Sequence, residues 1–201
     1  MEIYKIALTG GPCAGKSSAM EYLYHHLHCR GFNVVIAPEA ATQIILENRA
    51  KGIGHLSKMV FQKLVFDRQL YLENQANYLA RISGKRTVVL YDRSLLDQLA
   101  YIEPADFQEF LIESHVGDPY LRYDGIVHMV SAAVGTSCYT TDNNPARTGT
   151  VEHAMMLEGK TIAASKMFTG PLRIIDNSTG FEQKLARTLD AVMSIIKEVG
   201  G

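Results

Sequence analysis

Gly10-Gly-Pro-Cys-Ala-Gly15-Lys16-Ser17 satisfies the pattern G-x-x-x-x-G-K-[ST] at every fixed position, and no other stretch of the chain narrows the fold so far. Composition alone would produce the pattern in roughly one of 150 such chains. It lies between Ile3-Tyr-Lys-Ile-Ala-Leu8, a largely apolar run that reads as a strand, and a helical pattern over 16–30 with Met20, Leu23 and Leu27 along one side. Glycines let the backbone curl until successive N–H groups face inward around an anion. The helix that follows adds unsatisfied N–H groups and the positive end of its dipole. Gly10, Gly11, Pro12, Cys13, Ala14, Gly15, Lys16, Ser17 and Ser18 are therefore expected to cradle phosphates. Lys16 is expected at an exposed site as a point charge near the β- and γ-phosphates, and Ser17 as a ligand of Mg²⁺.

Further strands are predicted at 33–37, 86–91, 125–130 and 171–175. Helical patterns alternate with them at 40–49, 57–82, 94–101, 105–114, from about 150 onward, and at 180–198. Strands that are apolar on both faces and alternate with helices imply a parallel sheet covered on each side. The expectation is an α/β chain with the P-loop NTPase fold, a five-stranded parallel sheet, and one domain over 1–201. Residues 131–150 lack periodicity, and a stretch of that length inside a compact domain is expected to be a lid. With 47% apolar and 20% charged residues, the composition excludes a disordered chain. A net charge of -1 removes the electrostatic case for a nucleic-acid polymer or a membrane surface as partner. No apolar run reaches the ~18 residues of a membrane span, and the N-terminus has no leader pattern. The three cysteines (Cys13, Cys29, Cys138) contain no C-x-x-C. A cytoplasmic protein is expected, and nothing in the sequence specifies a homo-oligomer.

The third strand ends in Asp92-Arg93-Ser94, a hydrophobic strand delivering an Asp to the phosphate edge, where it would stand behind Ser17 at the metal. Motor-type ATPases follow such an Asp with a water-polarising Glu; an arginine suits gripping an acceptor instead. The alternative is an Asp that caps a helix beside a solvated Arg. No Asn is followed by Lys and no Asp-x-x-G occurs, so the guanine-reading and switch elements of GTPases are missing. Glu39 follows Pro38 at the C-terminal end of the second strand, where open α/β sheets bind ligands. It could take or orient an acceptor hydroxyl, or simply be an acid favoured in a helix's first turn. Arg147, in the aperiodic stretch, could add positive charge to a transferring phosphoryl group or be a solvated arginine. Asp176-Asn177-Ser-Thr-Gly180 follows the fifth strand as a turn. Phe61, Phe66, Tyr71 and Tyr101 could stack on a base, but at helical spacing they read first as core. His25, His26, His28 and Cys29 read as a helix face rather than a metal cluster.

Thr9-Gly-Gly-Pro-Cys-Ala-Gly-Lys-Ser17, Pro38-Glu-Ala-Ala41, Tyr91-Asp-Arg-Ser94, Ala146-Arg-Thr148 and Ile175-Asp-Asn-Ser-Thr-Gly-Phe181 occur in that order. This series resembles the NadR-like AAA-type P-loop family, whose best understood relatives are ribosylnicotinamide kinase domains. Through Pro38-Glu39 and Asp92-Arg93-Ser94 it resembles deoxynucleoside and thymidylate kinases more distantly. The resemblance implies ATP and Mg²⁺ as cofactors, a small-molecule acceptor, Glu39 serving its hydroxyl, Arg93 holding the reacting groups and Asn177 beside the nucleotide base. Gly149 stands where an acidic residue is expected after the lid Arg-Thr, and a bifunctional assignment with a nucleotidyltransferase part is not expected. The expected function is an ATP·Mg-dependent phosphotransferase acting on a nucleoside- or nucleotide-like acceptor; the alternative is a slow nucleotide-hydrolysing regulatory module with a protein partner.

Overall fold

In the computed structural model, which describes residues 2–135 and 150–201, five parallel strands carry the chain back and forth beneath helices on both faces. In chain order the elements are β1 (Ile3–Thr9), α1 (Lys16–His28), β2 (Asn33–Ala37), α2 (Ala40–Ala50), α3 (Lys58–Ile82), β3 (Thr87–Asp92), α4 (Pro104–Glu113), β4 (Gly125–Met129), α5 (Val151–Lys166), β5 (Leu172–Ile175) and α6 (Phe181–Gly200). Two 3-10 helices, Leu95–Ala100 and Pro119–Arg122, complete the set. The helical pattern expected at 94–101 thus winds more tightly than an α-helix: Asp97 N–H reaches Ser94 O and Tyr101 N–H reaches Gln98 O, three residues back. The second 3-10 turn is too short to leave a periodic signal in the sequence.

The sheet order is β2-β3-β1-β4-β5. The chain leaves β1 for the β2 edge, returns through β3, and then crosses to β4 on the other side. All pairs are parallel, with Leu8 opposite Asp92 and Thr9 opposite His128. The reversal of direction about β1 opens a crevice at the strands' C-terminal ends. Burial alternates with the pleat. Ile6, Leu8, Val88, Leu90, Val127 and Met129 face α1 and α6 in one core. Ala7, Val89, Tyr91 and Ile126 face a second core with Phe66 of α3 and Phe107 of α4. Gly125 lets α6 seat directly on β4, since a Cβ there would meet Ile195 Cγ2 at 2.5 Å. Among the described residues no helix is long and apolar enough to cross a membrane.

Candidate functional site

Every described residue singled out as a site candidate sits along that C-terminal edge. Residues 10–15 leave β1 in a tight curl whose geometry the sequence enforces. Gly10 adopts φ 139°, and a Cβ there would fall 2.0 Å from Met129 O. Cys13 takes the left-handed region at φ 58° and Gly15 caps α1 at φ 88°. Ser17 and Ser18 open α1 with exposed side chains. Lys16 corrects the expectation of exposure: it is buried, and Nζ curls back to donate to Gly10 O at 3.0 Å and Gly11 O at 3.2 Å. Burial, reinforced by Arg93, lowers its pKa to about 8 despite the upward pull of Asp92, Glu39 and Asp97.

Asp92 ends β3 against Leu8 of β1, beside the loop. It does not cap the following helix; Ser94 does, in a reciprocal box with Asp97. Asp92 Oδ1 is buried and has no hydrogen-bond partner among the described residues. Burial, opposed by Lys16 and helped by Glu39, pushes its pKa up to about 6. A hard divalent cation takes oxygen donors, and this orphaned carboxylate oxygen together with the Ser17 hydroxyl fits Mg²⁺. Among the described residues no three His, Cys, Asp or Glu side chains gather into a cage of their own.

Arg93 departs from strand geometry at φ 77°, a left-handed backbone rare for a non-glycine residue. Its N–H is held by Leu8 O at 2.9 Å and its carbonyl by Gln69 Nε2 at 3.1 Å. The guanidinium donates to Glu39 Oε1 at 3.0 Å, Asp97 Oδ2 at 3.3 Å and Gly10 O at 3.3 Å. Burial lowers its pKa, but Tyr101 and the carboxylates of Glu39, Asp97 and Asp92 outweigh that and hold it well above the ordinary value. Glu39 occupies the N-cap position of α2, yet its side chain accepts no helix N–H. It accepts instead from Thr42 Oγ1 at 2.6 Å and from Arg93. Burial pushes the Glu39 carboxyl up, but Arg93 and Lys16 prevail and hold it at about 2.

Between these groups lies a cavity of about 220 Å³. Pro12 of the loop, Glu39, Arg93 and Asp97 form its charged end, while Phe61, Gln62, Gln69, Gln98 and Tyr101 line the rest. Gln98 Oε1 is buried without a partner among the described residues. Of the four aromatic residues weighed in the sequence, Phe61 and Tyr101 line this space, Phe66 is core and Tyr71 is exposed.

On the other side of the loop, a network absent from the sequence reading fixes it. Glu158 of α5 is buried; its Oε2 accepts from Gly11 N–H at 2.8 Å and Ser131 N–H at 3.2 Å, while Oε1 meets His128 Nε2 at 2.8 Å. The Ser131 hydroxyl donates to Pro12 O, and Ala132 N–H donates to Cys13 O at 3.1 Å. Asn177 follows β5; its amide donates to Ser131 O and Val134 O, both at 2.8 Å, and its oxygen accepts from Lys184. Asp176 pairs with Arg187 at 2.8 Å. Arg147, Cys138 and most of the expected lid, 136–149, lie outside the described residues. Asp97 alone among the missed residues carried a local signal, the capping spacing Ser94-x-x-Asp97. Glu158 and the glutamines carried none.

A family model described as an AAA domain matches residues 5–184. The chain belongs to the AAA-domain family. No curated protein matches it. The match spans the loop, Glu39, Arg93, Glu158 and Asn177 of this AAA domain. Its P-loop is an ATP-binding element, and the family match fits nucleotide binding and ATPase chemistry.

Proposed function

We propose that this AAA-domain protein is an ATP·Mg-dependent phosphotransferase acting on a small hydroxylated, nucleoside- or nucleotide-like acceptor. The carrying observation is the cavity that begins at the phosphate loop and ends among Gln98, Tyr101 and Phe61, with Glu39 and Arg93 at its phosphate end. A hydrolase needs room there only for water, about 30 Å³; this space of about 220 Å³ is several times that and has aromatic walls and amide groups. The resemblance to ribosylnicotinamide kinase domains, and more distantly to deoxynucleoside and thymidylate kinases, supports the same reading.

In this reading the loop amides and Lys16 bind the phosphates, Lys16 exchanging its loop carbonyls for β- and γ-phosphate oxygens. Mg²⁺, held by Ser17 and Asp92, supplies charge neutralisation on the phosphates when bound. Glu39, held at about 2, is a weak base. It orients the acceptor hydroxyl through a charge-assisted hydrogen bond and receives its proton only once the bond to phosphorus is forming. Arg93 stabilises the equatorial oxygens of the transferring group, its carboxylate partners fixing the guanidinium in advance. Gln98 Oε1 offers an acceptor for a second hydroxyl or N–H of the substrate.

ATP turnover measured with and without a panel of nucleosides, ribosides and nucleotides tests this. Stimulation by one class of acceptor, with phosphorylated acceptor as product, is expected. Slow turnover that no acceptor changes would establish the regulatory-module reading instead.

A further inference from the structure

Helix α3 turns two polar residues inward, one turn apart, on the side of the sheet that Phe66, Tyr91 and Tyr123 fill. They are Gln69 and Glu73, both buried. Glu73 is only 1% exposed, and burial raises its pKa against the pull of Arg122, Tyr123 and Gln69. A carboxylate taken that far from water is costly even when paired, and an ion pair alone seldom offsets the cost.

The two oxygens of this carboxylate do different things. Oε2 meets Arg122 Nε and Nη2, both at 2.8 Å, and that is the whole ion pair. Oε1 accepts from Gln69 Nε2 at 3.1 Å and from the Tyr123 hydroxyl at 2.6 Å. Both of those donors lead to a single turn. Gln69 Nε2 also donates to Arg93 O at 3.1 Å, and the Tyr123 oxygen accepts the Leu95 N–H at 2.7 Å. An ionised carboxylate only accepts, so it fixes the polarity of both neighbours. Gln69 must offer its NH2 rather than its oxygen, which leaves one proton for Arg93 O. Tyr123 must donate its proton to Glu73, which leaves a lone pair for Leu95 N–H.

We propose that Glu73 is a positioning residue: through Gln69 and Tyr123 it holds the turn 93–95 in the backbone that aims the Arg93 guanidinium at Glu39 and Asp97. Arg93 needs such a hold, because at φ 77° it occupies a region that a residue with a Cβ disfavours. Leu8 O fixes its N–H from the side of β1. The bonds to its carbonyl and to Leu95 N–H settle where the chain goes next. What Arg93 does once aimed rests on the phosphotransferase reading; that Glu73 aims it does not.

The Arg93 Nε–H, which donates to Glu39, reports the aim directly. Its exchange with water is measured by NMR on the full-length protein labelled with nitrogen-15 arginine, the signal being the one absent in Arg93→Lys. Glu73→Gln keeps the shape, but Arg122 claims the new amide oxygen and turns the NH2 group toward Gln69 and Tyr123, reversing the polarity. Exchange at Arg93 Nε should quicken about tenfold, the effect of one lost hydrogen bond on local opening. Arg122→Gln alone touches only Oε2, so it should lower the melting temperature and leave the exchange within about twofold of native. Glu73→Gln combined with Arg122→Gln should bring the rate back. The second amide then accepts from the NH2 of the first, whose oxygen faces Gln69 and Tyr123 again. Tyr123→Phe removes only the hydroxyl, should quicken exchange in the same sense, and carries the test if Glu73→Gln does not fold. A native rate in folded Glu73→Gln or Tyr123→Phe overturns the proposal. So does a rate that simply follows melting temperature across the variants, or one that the second substitution fails to restore.

Turnover separates this from the phosphotransferase reading. Acceptor-stimulated kcat should fall about tenfold in Glu73→Gln while ATP affinity stays near native. The expected exchange pattern beside a native kcat, or beside no acceptor turnover in the native protein, overturns the reading of Arg93 and leaves Glu73 as its positioner.

Discussion

The phosphate loop and the groove beside Glu39 share one crevice but are built from different material. The loop is backbone. Its shape follows from Gly10 against Met129 O, from left-handed Cys13 and Gly15, and from the Gly11 amide tied to Glu158. The groove is side chains, contributed by α2, α3 and the 3-10 helix after β3, residues distant in the chain that only the completed sheet brings together. A backbone site tolerates almost any side chain that its dihedral angles allow, and little else. A side-chain site tolerates backbone adjustment but depends on individual charges and amides. The lesson is that the loop and the lining of the groove can change independently.

Substitutions that strike one region and spare the other test this division. Glu39→Gln should have the largest effect, lowering acceptor-stimulated turnover by about 10²–10⁴-fold. ATP affinity, measured on the same protein, should stay near normal, because the Glu39 partners are Thr42 and Arg93 rather than the loop. Loss of ATP binding with a surviving fold would put Glu39 in the nucleotide site. Lys16→Ala should weaken ATP binding by about 10²-fold, the worth of a charge-assisted contact pair. Equilibrium binding of a fluorescent ATP analogue reads this, and native affinity would remove Lys16 from the site. Gly10→Ala should destabilise the protein by about 3 kcal/mol in urea unfolding, since strand and loop backbone must both shift to admit a methyl group. A cost below about 1 kcal/mol would show that the loop is softer than its contacts imply.

Two buried charges of the loop region set a pH window that the groove does not share. Asp92 ionises near pH 6 and Lys16 loses its proton near pH 8. ATP·Mg²⁺ affinity should therefore plateau between those values and fall by up to about tenfold per unit outside them. Stability of the ligand-free protein should run the other way. The Asp92 pKa is raised from 3.8, so its contribution is full at low pH and is lost as pH rises toward 6. The Lys16 pKa is lowered from 10.5, so its contribution is regained as pH rises from 8. Melting curves and binding isotherms recorded across the same pH series check both signs, and parallel rather than opposed profiles would contradict the assignment. The smallest effect is expected at the link between α2 and α3. Gly54 has no atom within 4 Å of its would-be Cβ, so Gly54→Ala should change stability by less than about 1 kcal/mol and raise it if anything. A larger loss would mean that this link is as constrained as the phosphate loop.

The same contrast explains how much could be read from the chain in advance. The loop was legible because its dihedral demands write themselves as glycines at fixed spacing, and the sheet because β-branched runs alternate with helical periods. Asp92, Arg93 and Glu39 were legible from position, each at the C-terminal end of a strand. Burial of Lys16 was not, because the curl of its side chain onto Gly10 and Gly11 answers to the packed loop rather than to its neighbours in sequence. Gln62, Gln69 and Gln98 look like any helix surface until α3 and the 3-10 helix turn them toward one space. Asn177 sat where expected, at the end of β5, but its amide was already engaged by a loop 46 residues away, at Ser131. No local pattern announces such a partner.

Glu158 has a consequence of timing. By gripping Gly11 and Ser131 from α5, it leaves the phosphate loop already shaped when a nucleotide arrives. Fixing one residue's backbone costs about 1–2 kcal/mol of conformational entropy, and here that cost falls on folding rather than on binding. The loop can meet ATP at the rate of encounter, without waiting for several dihedral angles to agree. A helix far along the chain thus governs how promptly the domain is filled, although it need touch neither phosphate nor metal.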